Sequence, residues 1–433
     1  FTILPGVGND YGIYFSSGIG PTDPVVITNN TLEGFTELGS GYGFSASWGY
    51  MTGTTFTFTG NTMRDCDTGI YVYGFDGCTI RINDNTAIDC TAGMDLEEFD
   101  EGMGTDAQVM GNTVTLDETT PSTEEGIAIC CPENETTISG NVVTGPYQYG
   151  MYVDYTGCCG MEPTLVTVEG NRISGADYGL YFEYILCCKA GELTVRDNII
   201  YDNDCGIYGG TFNFPSDPLT AVQFTDNSIH GNSIYGFHND SGELIDAKGN
   251  WWGDASGPFD DKALPNTPDY NNPAGTGDKV SEYVDYDPWL TEVPVADKPV
   301  LLSPAGGAAD VSVTVALETE PFATNLPVTH KATVWQAATA SDFSSGVVID
   351  EESTTSLTSY AVPGGTLEYG TTYYWRARFR DSDDNLTDWS DTWSFTTETE
   401  PAPSGGGGGG CSALGFSPFL LLLAIPALLL KRR

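Results

Sequence analysis

Tyr152 and Asp154 stand two residues apart, and Tyr181 and Glu183 repeat the pair 29 residues later. Tyrosine beside carboxylate is a pairing suited to sugars. The ring offers an apolar face to the C–H surface of a pyranose, and the carboxylate accepts hydroxyl hydrogen bonds. Two carboxylates about 5–5.5 Å apart can also cleave a glycosidic bond with retention, one as acid and one as nucleophile. Asp154 and Glu183 are therefore the candidate catalytic pair. Tyr71, Tyr152, Tyr181, Tyr208, His238, Asp95 and Glu97 are the candidate binding residues, each two or four positions after a glycine. Any regular stack brings like carboxylates this close, so a solvated acidic ladder with strand-forming tyrosines is the competing reading.

Those offsets come from an internal repeat. Gly69-Ile-Tyr-Val, Gly93-Met-Asp-Leu, Gly126-Ile-Ala-Ile, Gly150-Met-Tyr-Val and Gly179-Leu-Tyr-Phe share one pattern, apolar at the first and third positions after glycine. Asparagines recur alongside, at 30, 61, 85, 112, 141, 171, 198, 227 and 250, spaced by 23 to 31 residues. Before most of them apolar residues alternate, as in Phe56/Phe58 and Ile80/Ile82, which is strand periodicity. Segments this short cannot bury a face alone, so the repeats must stack, each strand pairing with its copy about 4.8 Å away. Helix-length spacers are absent, which excludes strand–helix–strand units. The pattern predicts a parallel β-helix of about nine coils, its outward tyrosines exposed and its asparagines forming an inward amide ladder.

Residues 1–292 resemble the secreted right-handed parallel β-helix repeat proteins of bacteria and archaea. The most specific stretch is Asn250-Trp-Trp-Gly-Asp-Ala-Ser-Gly-Pro, followed by Val284-Asp-Tyr-Asp-Pro-Trp-Leu290. The resemblance implies closure of the last coils here, with Trp251, Trp252 and Trp289 covering the open end. Residues 297–398 turn to short alternating strands with turn signals, which suits a β-sandwich. Leu367-Glu-Tyr-Gly-Thr-Thr-Tyr-Tyr-Trp-Arg-Ala-Arg resembles the tyrosine corner of fibronectin type III domains, with Trp335 expected in the opposite sheet. A Pro/Gly-rich linker, 399–410, precedes an apolar segment, 411–433, ending Lys431-Arg-Arg. This order resembles C-terminal sorting signals of the GlyGly-CTERM and Synerg-CTERM kind. It implies a hydrophobic helix, cleavage near Gly410 and Cys411 by a sortase or rhomboid-type protease, and attachment of the mature protein to the envelope. A retained membrane anchor is the simpler alternative.

Sixty Asp and Glu against 16 Lys and Arg give a formal charge of −44, which argues against nucleic acid as partner. Eleven cysteines suit an oxidising compartment. Cys66 and Cys90, each five residues after a repeat asparagine, are candidates for a cross-coil disulfide; buried thiols are the alternative. Asp254, Asp260 and Asp261 are weak calcium candidates, and no other cofactor is indicated. Serine-hydrolase elbows, phosphate loops and zinc-protease motifs are missing, as is the motif set of the polygalacturonases, which share the fold. The sequence therefore reads as an all-β, envelope-anchored extracellular protein: right-handed parallel β-helix, fibronectin type III-like sandwich, hydrophobic C-terminal helix. Non-catalytic binding of a polysaccharide or another surface is the first expectation. A polysaccharide lyase or glycoside hydrolase is the alternative, and a purely structural surface component the third.

Overall fold

The computed structural model describes residues 2–5, 11–17, 24–36, 41–48, 53–75, 77–97, 105–117, 121–132, 134–156, 164–186, 191–212, 222–261, 271–324 and 326–401. The linker beyond 401, the apolar tail with Gly410 and Cys411, and the Cys158-Cys159 and Cys187-Cys188 pairs lie outside these residues. Every regular element described is a strand. No helix among the described residues is long and apolar enough to cross a membrane.

Among the described residues, those up to Asp285 form a parallel β-helix with three strands to a coil. A short sheet of nine strands runs from Thr2–Ile3 through Thr62–Arg64 to Ser228–His230. A long sheet of nine runs from Tyr11–Ser17 through Tyr149–Asp154 to Tyr235–Asn239. The third sheet has ten, from Val25–Thr28 to Val284–Asp285. Each strand pairs in parallel with its own copy on the next coil. Ile70, Met94, Ile127, Met151, Leu180, Ile207 and Phe237 thereby share one register column, and all are buried.

The asparagine ladder forms at the corner between the third and short sheets. Asn141 Nδ2 donates to Val109 O at 2.8 Å and to Asn171 Oδ1 at 2.9 Å. Its own Oδ1 accepts from Asn112 N and Nδ2, both at 2.9 Å. The carboxamide thus satisfies backbone groups that the tight corner leaves without strand partners. The residue before each ladder asparagine is always left-handed: Asn29, Gly60, Asp84, Gly111, Gly140, Gly170, Asp197, Asp226 and Gly249. Only glycine, asparagine and aspartate stand there, the residues that tolerate positive φ. At the start of the long-sheet strands, glycine is needed for space instead. A Cβ on Gly150 would lie 2.5 Å from Ile173 Cγ2 and 2.7 Å from Gly179 O.

A second, shorter amide ladder escapes the sequence reading. Asn203 donates to Asn232 Oδ1, and Asn232 donates to Asp278 Oδ2, so a carboxylate terminates the run. Its column is the one that Cys66 and Cys90 occupy in earlier coils, five positions after the main ladder. Past it, Trp252 and Tyr286 are fully buried at the end of the stack, and the Trp289 indole donates to Ala255 O at 3.2 Å.

Residues 301–397 form a separate two-sheet sandwich. Three strands, Leu301–Ser303, Ala316–Thr319 and Ser359–Ala361, face five: Ala308–Val311, Trp393–Thr397, Thr372–Asp381, His330–Ala338 and Val347–Ser353 in spatial order. Tyr373 makes the tyrosine corner, its hydroxyl accepting from Glu368 N at 2.9 Å. Trp335 corrects an expectation. It is fully buried, but on the strand paired with Thr372–Asp381, in the same sheet as Tyr373 rather than the opposite one. Its indole N–H reaches Ser356 O at 2.9 Å and so anchors the core to the connection below.

Candidate functional site

The outer surface of the long sheet carries two parallel columns. One runs Tyr14, Ser45, Tyr71, Asp95, Ala128, Tyr152, Tyr181, Tyr208, His238. Beside it, Glu125, Tyr149, Tyr178, Cys205 and Tyr235 occupy the position just before each glycine. Tyr149 and Tyr178 were not singled out from the sequence, although the recurring tyrosine before glycine was there to read.

The rings pack on one another. Tyr181 and Tyr208 are stacked at 4.6 Å with planes 10° apart, and Tyr152 lies 5.4 Å from Tyr181. Tyr149 stacks on Tyr178 at 5.7 Å, and His238 stacks on Tyr235 at 4.6 Å. Strands 4.8 Å apart leave room for one ring thickness per coil, so consecutive rings cover each other's faces. The expected exposed rings of Tyr71, Tyr152, Tyr181 and Tyr208 are therefore half-buried.

The hydroxyls find carboxylates. Tyr152 donates to Asp154 at 2.7 Å, Tyr181 to Glu183 at 3.1 Å, Tyr71 to Glu97 at 3.1 Å and Tyr208 to Asp240 at 3.2 Å. Asp154 is buried and also accepts from Tyr155 N at 2.7 Å; burial raises its pKa, against the pull of both hydrogen bonds. Asp154 and Glu183 are register partners, as the spacing implied, yet each already holds a tyrosine hydroxyl.

The ring column breaks at Asp95 and Ala128. Tyr71 and Tyr152 bound a gap three coil steps wide, about 14 Å at the interstrand spacing, and no ring of the column fills it. Its floor is acidic. Burial, then the charges of Glu97 and Glu125, pushes Asp95 up to about 7. Burial and Glu124 bring Glu125 to about 7 as well. Glu125 is the member that sequence reasoning passed over, because acids were sought only after the glycine.

The remaining candidates separate. Asp254 caps its own turn, accepting from Ser256 N and Oγ at 2.8 and 2.6 Å, while Asp260 is buried against the Tyr286 hydroxyl and Asp261 is exposed. Among the described residues no three His, Cys, Asp or Glu converge as metal ligands, so the calcium set is not assembled. Cys66 and Cys90 stack at one corner as buried thiols, not as the expected bridge. Their mutual hydrogen bond lowers the Cys66 pKa and raises that of Cys90.

The family described as periplasmic copper-binding protein (NosD) matches residues 8–158 and, in a second alignment, 45–257. Residues 329–399 match the family described as Rha78A-like, N-terminal immunoglobulin domain. A search of curated proteins finds no match.

Proposed function

From the premise that this chain belongs to the periplasmic copper-binding protein (NosD) family, we propose that it acts outside the cytoplasm as a polysaccharide-binding β-helix that does not cleave its ligand. The break in the ring column carries this reading. Facing the gap, Tyr71 and Tyr152 have no neighbouring ring of their own column, and Asp95, Glu97 and Glu125 line the floor with acceptors and donors for sugar hydroxyls. A sugar in the gap continues the ring stack and hydrogen-bonds below, the division of labour found in most ligand sites. Glycan-array binding with reducing-sugar and unsaturated-product assays tests this: retention without product supports it, and no retention favours a purely structural surface role.

Cleavage is the second reading, favoured by Asp95 and Glu125. Carboxyls poised near 7 can donate a proton to a leaving oxygen at neutral pH. Asp95 would be the general acid and Glu97 or Glu125 its partner. Released sugar ends in the same assays, lost in Asp95→Asn, would establish it.

Copper, named in the family's description, fits this chain poorly. No group of three ligating side chains converges among the described residues, and Cys130 and Cys131, 3.4 Å apart at sulfur, make only a two-donor pair. For the tail, we propose cleavage near Gly410–Cys411 by a sortase or rhomboid-type protease and attachment of the new end to the envelope, on the resemblance of the sequence alone. Intact mass of envelope-extracted protein tests it; recovery of a chain ending at Arg433 would mean a retained anchor.

A further inference from the structure

Cations are scarce in this chain, and those of the sandwich are mostly paired. Arg380 holds Glu352, Lys331 holds Asp384, and Lys298 holds Asp391. Arg376 and Arg378 differ. They alternate with buried Trp375, Ala377 and Phe379 along Thr372–Asp381, so both side chains leave the outer face of the five-stranded sheet. The Arg376 guanidinium sits 4.0 Å from the centre of the Phe343 ring and 4.2 Å from that of Trp389. Arg378 lies over the same Trp389 ring at 4.4 Å. Neither has an ion-pair partner among the described residues. Arg376 Nε donates to the neutral Gln336 Oε1 at 2.8 Å, and Arg378 Nε is buried without an acceptor.

Asp350 and Glu352, across Gln336 and Val334 on the same face, act on Arg376 and Arg378 through their charge, but Glu352 is held by Arg380 and neither carboxylate forms an ion pair with these two guanidiniums. The repulsion is felt: burial and Arg378 both lower the Arg376 pKa, offset only in part by Asp350. Stacking on rings fixes guanidiniums by their faces and keeps their N–H donors in plane, the fork that matches two carboxylate oxygens. The segment bearing Trp389 is itself fixed to the strand, since Ser390 Oγ accepts from Ala377 N at 3.0 Å and Thr387 Oγ1 from Phe379 N at 3.0 Å. The chain's overall negative charge does not cancel this local charge, because salt screens exposed charges beyond about 8 Å at physiological ionic strength.

We propose that Arg376 and Arg378, clamped on Trp389, form an oxyanion site that takes the carboxylate of an acidic polysaccharide on the outer face of the sandwich. This site is independent of the tyrosine strip. The test is surface plasmon resonance of the full chain over polygalacturonate and over its fully methyl-esterified, neutral form. Binding to the acid form alone is expected, weakening as salt rises. Arg378→Gln is expected to lose at least tenfold. Arg378→Lys keeps the charge and stem without the fork, and is expected to lose at least threefold while melting with the parent. A phosphomannan that binds in place of polygalacturonate, and is lost in Arg378→Gln, would support the oxyanion site and name phosphate as its group. Equal binding of acid and ester, parent affinity in the Arg376→Gln/Arg378→Gln double variant, or no binding to any of these polymers overturns the proposal. The Arg376→Gln/Arg378→Gln variant keeps the parent's binding of neutral glycans at the tyrosine strip, so failure here and failure of the strip are separable.

Discussion

The hydroxyl of Tyr152 lies 2.7 Å from Oδ2 of Asp154, two positions on along the same strand. The ring and the acid that could each serve a sugar are first bound to one another. A ligand must then approach ring edges, displace a hydroxyl, or enter where the column is broken. Tyr152→Phe, which keeps the ring, is accordingly expected to change glycan affinity by less than about threefold, while Tyr152→Ala loses about tenfold, or ~1.4 kcal/mol. Isothermal calorimetry with the best array hit distinguishes them; equal losses would assign the hydroxyl, not the ring.

The half-buried state of the strip alters what truncation does to stability. Tyr181 touches Tyr149, Tyr152, Tyr178 and Tyr208. With such pairs contributing about 0.5–1.5 kcal/mol each, Tyr181→Ala should lower stability by about 2 kcal/mol, read as a shift in the urea midpoint.

Acid should stabilise the β-helix. Asp95 and Glu125 titrate at about 7 in the folded chain, against ordinary values of 3.8 and 4.5. Between about pH 4 and about pH 7 the folded state therefore holds protons that the unfolded state has released, and stability falls as pH rises through that window. Denaturation midpoints at pH 5 and pH 7.5 should show the parent more stable at pH 5, with a smaller difference in Asp95→Asn. An unchanged pH slope in that variant would remove Asp95 from the account.

The amide ladder should be costly to interrupt. Asn141→Ala strands Val109 O, Asn112 N and the Asn112 carboxamide in a sealed corner. A loss of about 3 kcal/mol or more is expected from unsatisfied buried groups. Asn30→Ala, at the half-buried start of the ladder, should be milder in the same thermal melts.

Cys66 and Cys90 should behave as sequestered thiols. Both are expected to resist alkylation in the native protein and to be fully modified in denaturant without reductant, as mass spectrometry would record. Protection in denaturant would restore the bridge.

Periodicity made the β-helix legible, because Asn-to-Asn spacing and the Gly-apolar-x-apolar pattern each fix a register that a one-residue slip would turn inside out. It also placed Tyr152 over Tyr181 and Asp154 over Glu183. What it could not supply was the third dimension of the strip. Rings stacked at coil spacing hide their faces, and that depends on side-chain rotamers. Glu125 was missed because it lies before its glycine, and the Asp95 gap because a break in a column is visible only against its neighbours. Trp335 was assigned to the wrong sheet because alternation reports which face of a strand is buried, not which sheet holds it.

The most direct test of the central claim is a glycan array probed with the parent chain and with Tyr71→Ala/Tyr152→Ala, both first shown to fold by far-UV circular dichroism. The parent should retain a defined set of neutral glycans without releasing products, and the double variant should lose them by tenfold or more. Identical retention by the two proteins would contradict it.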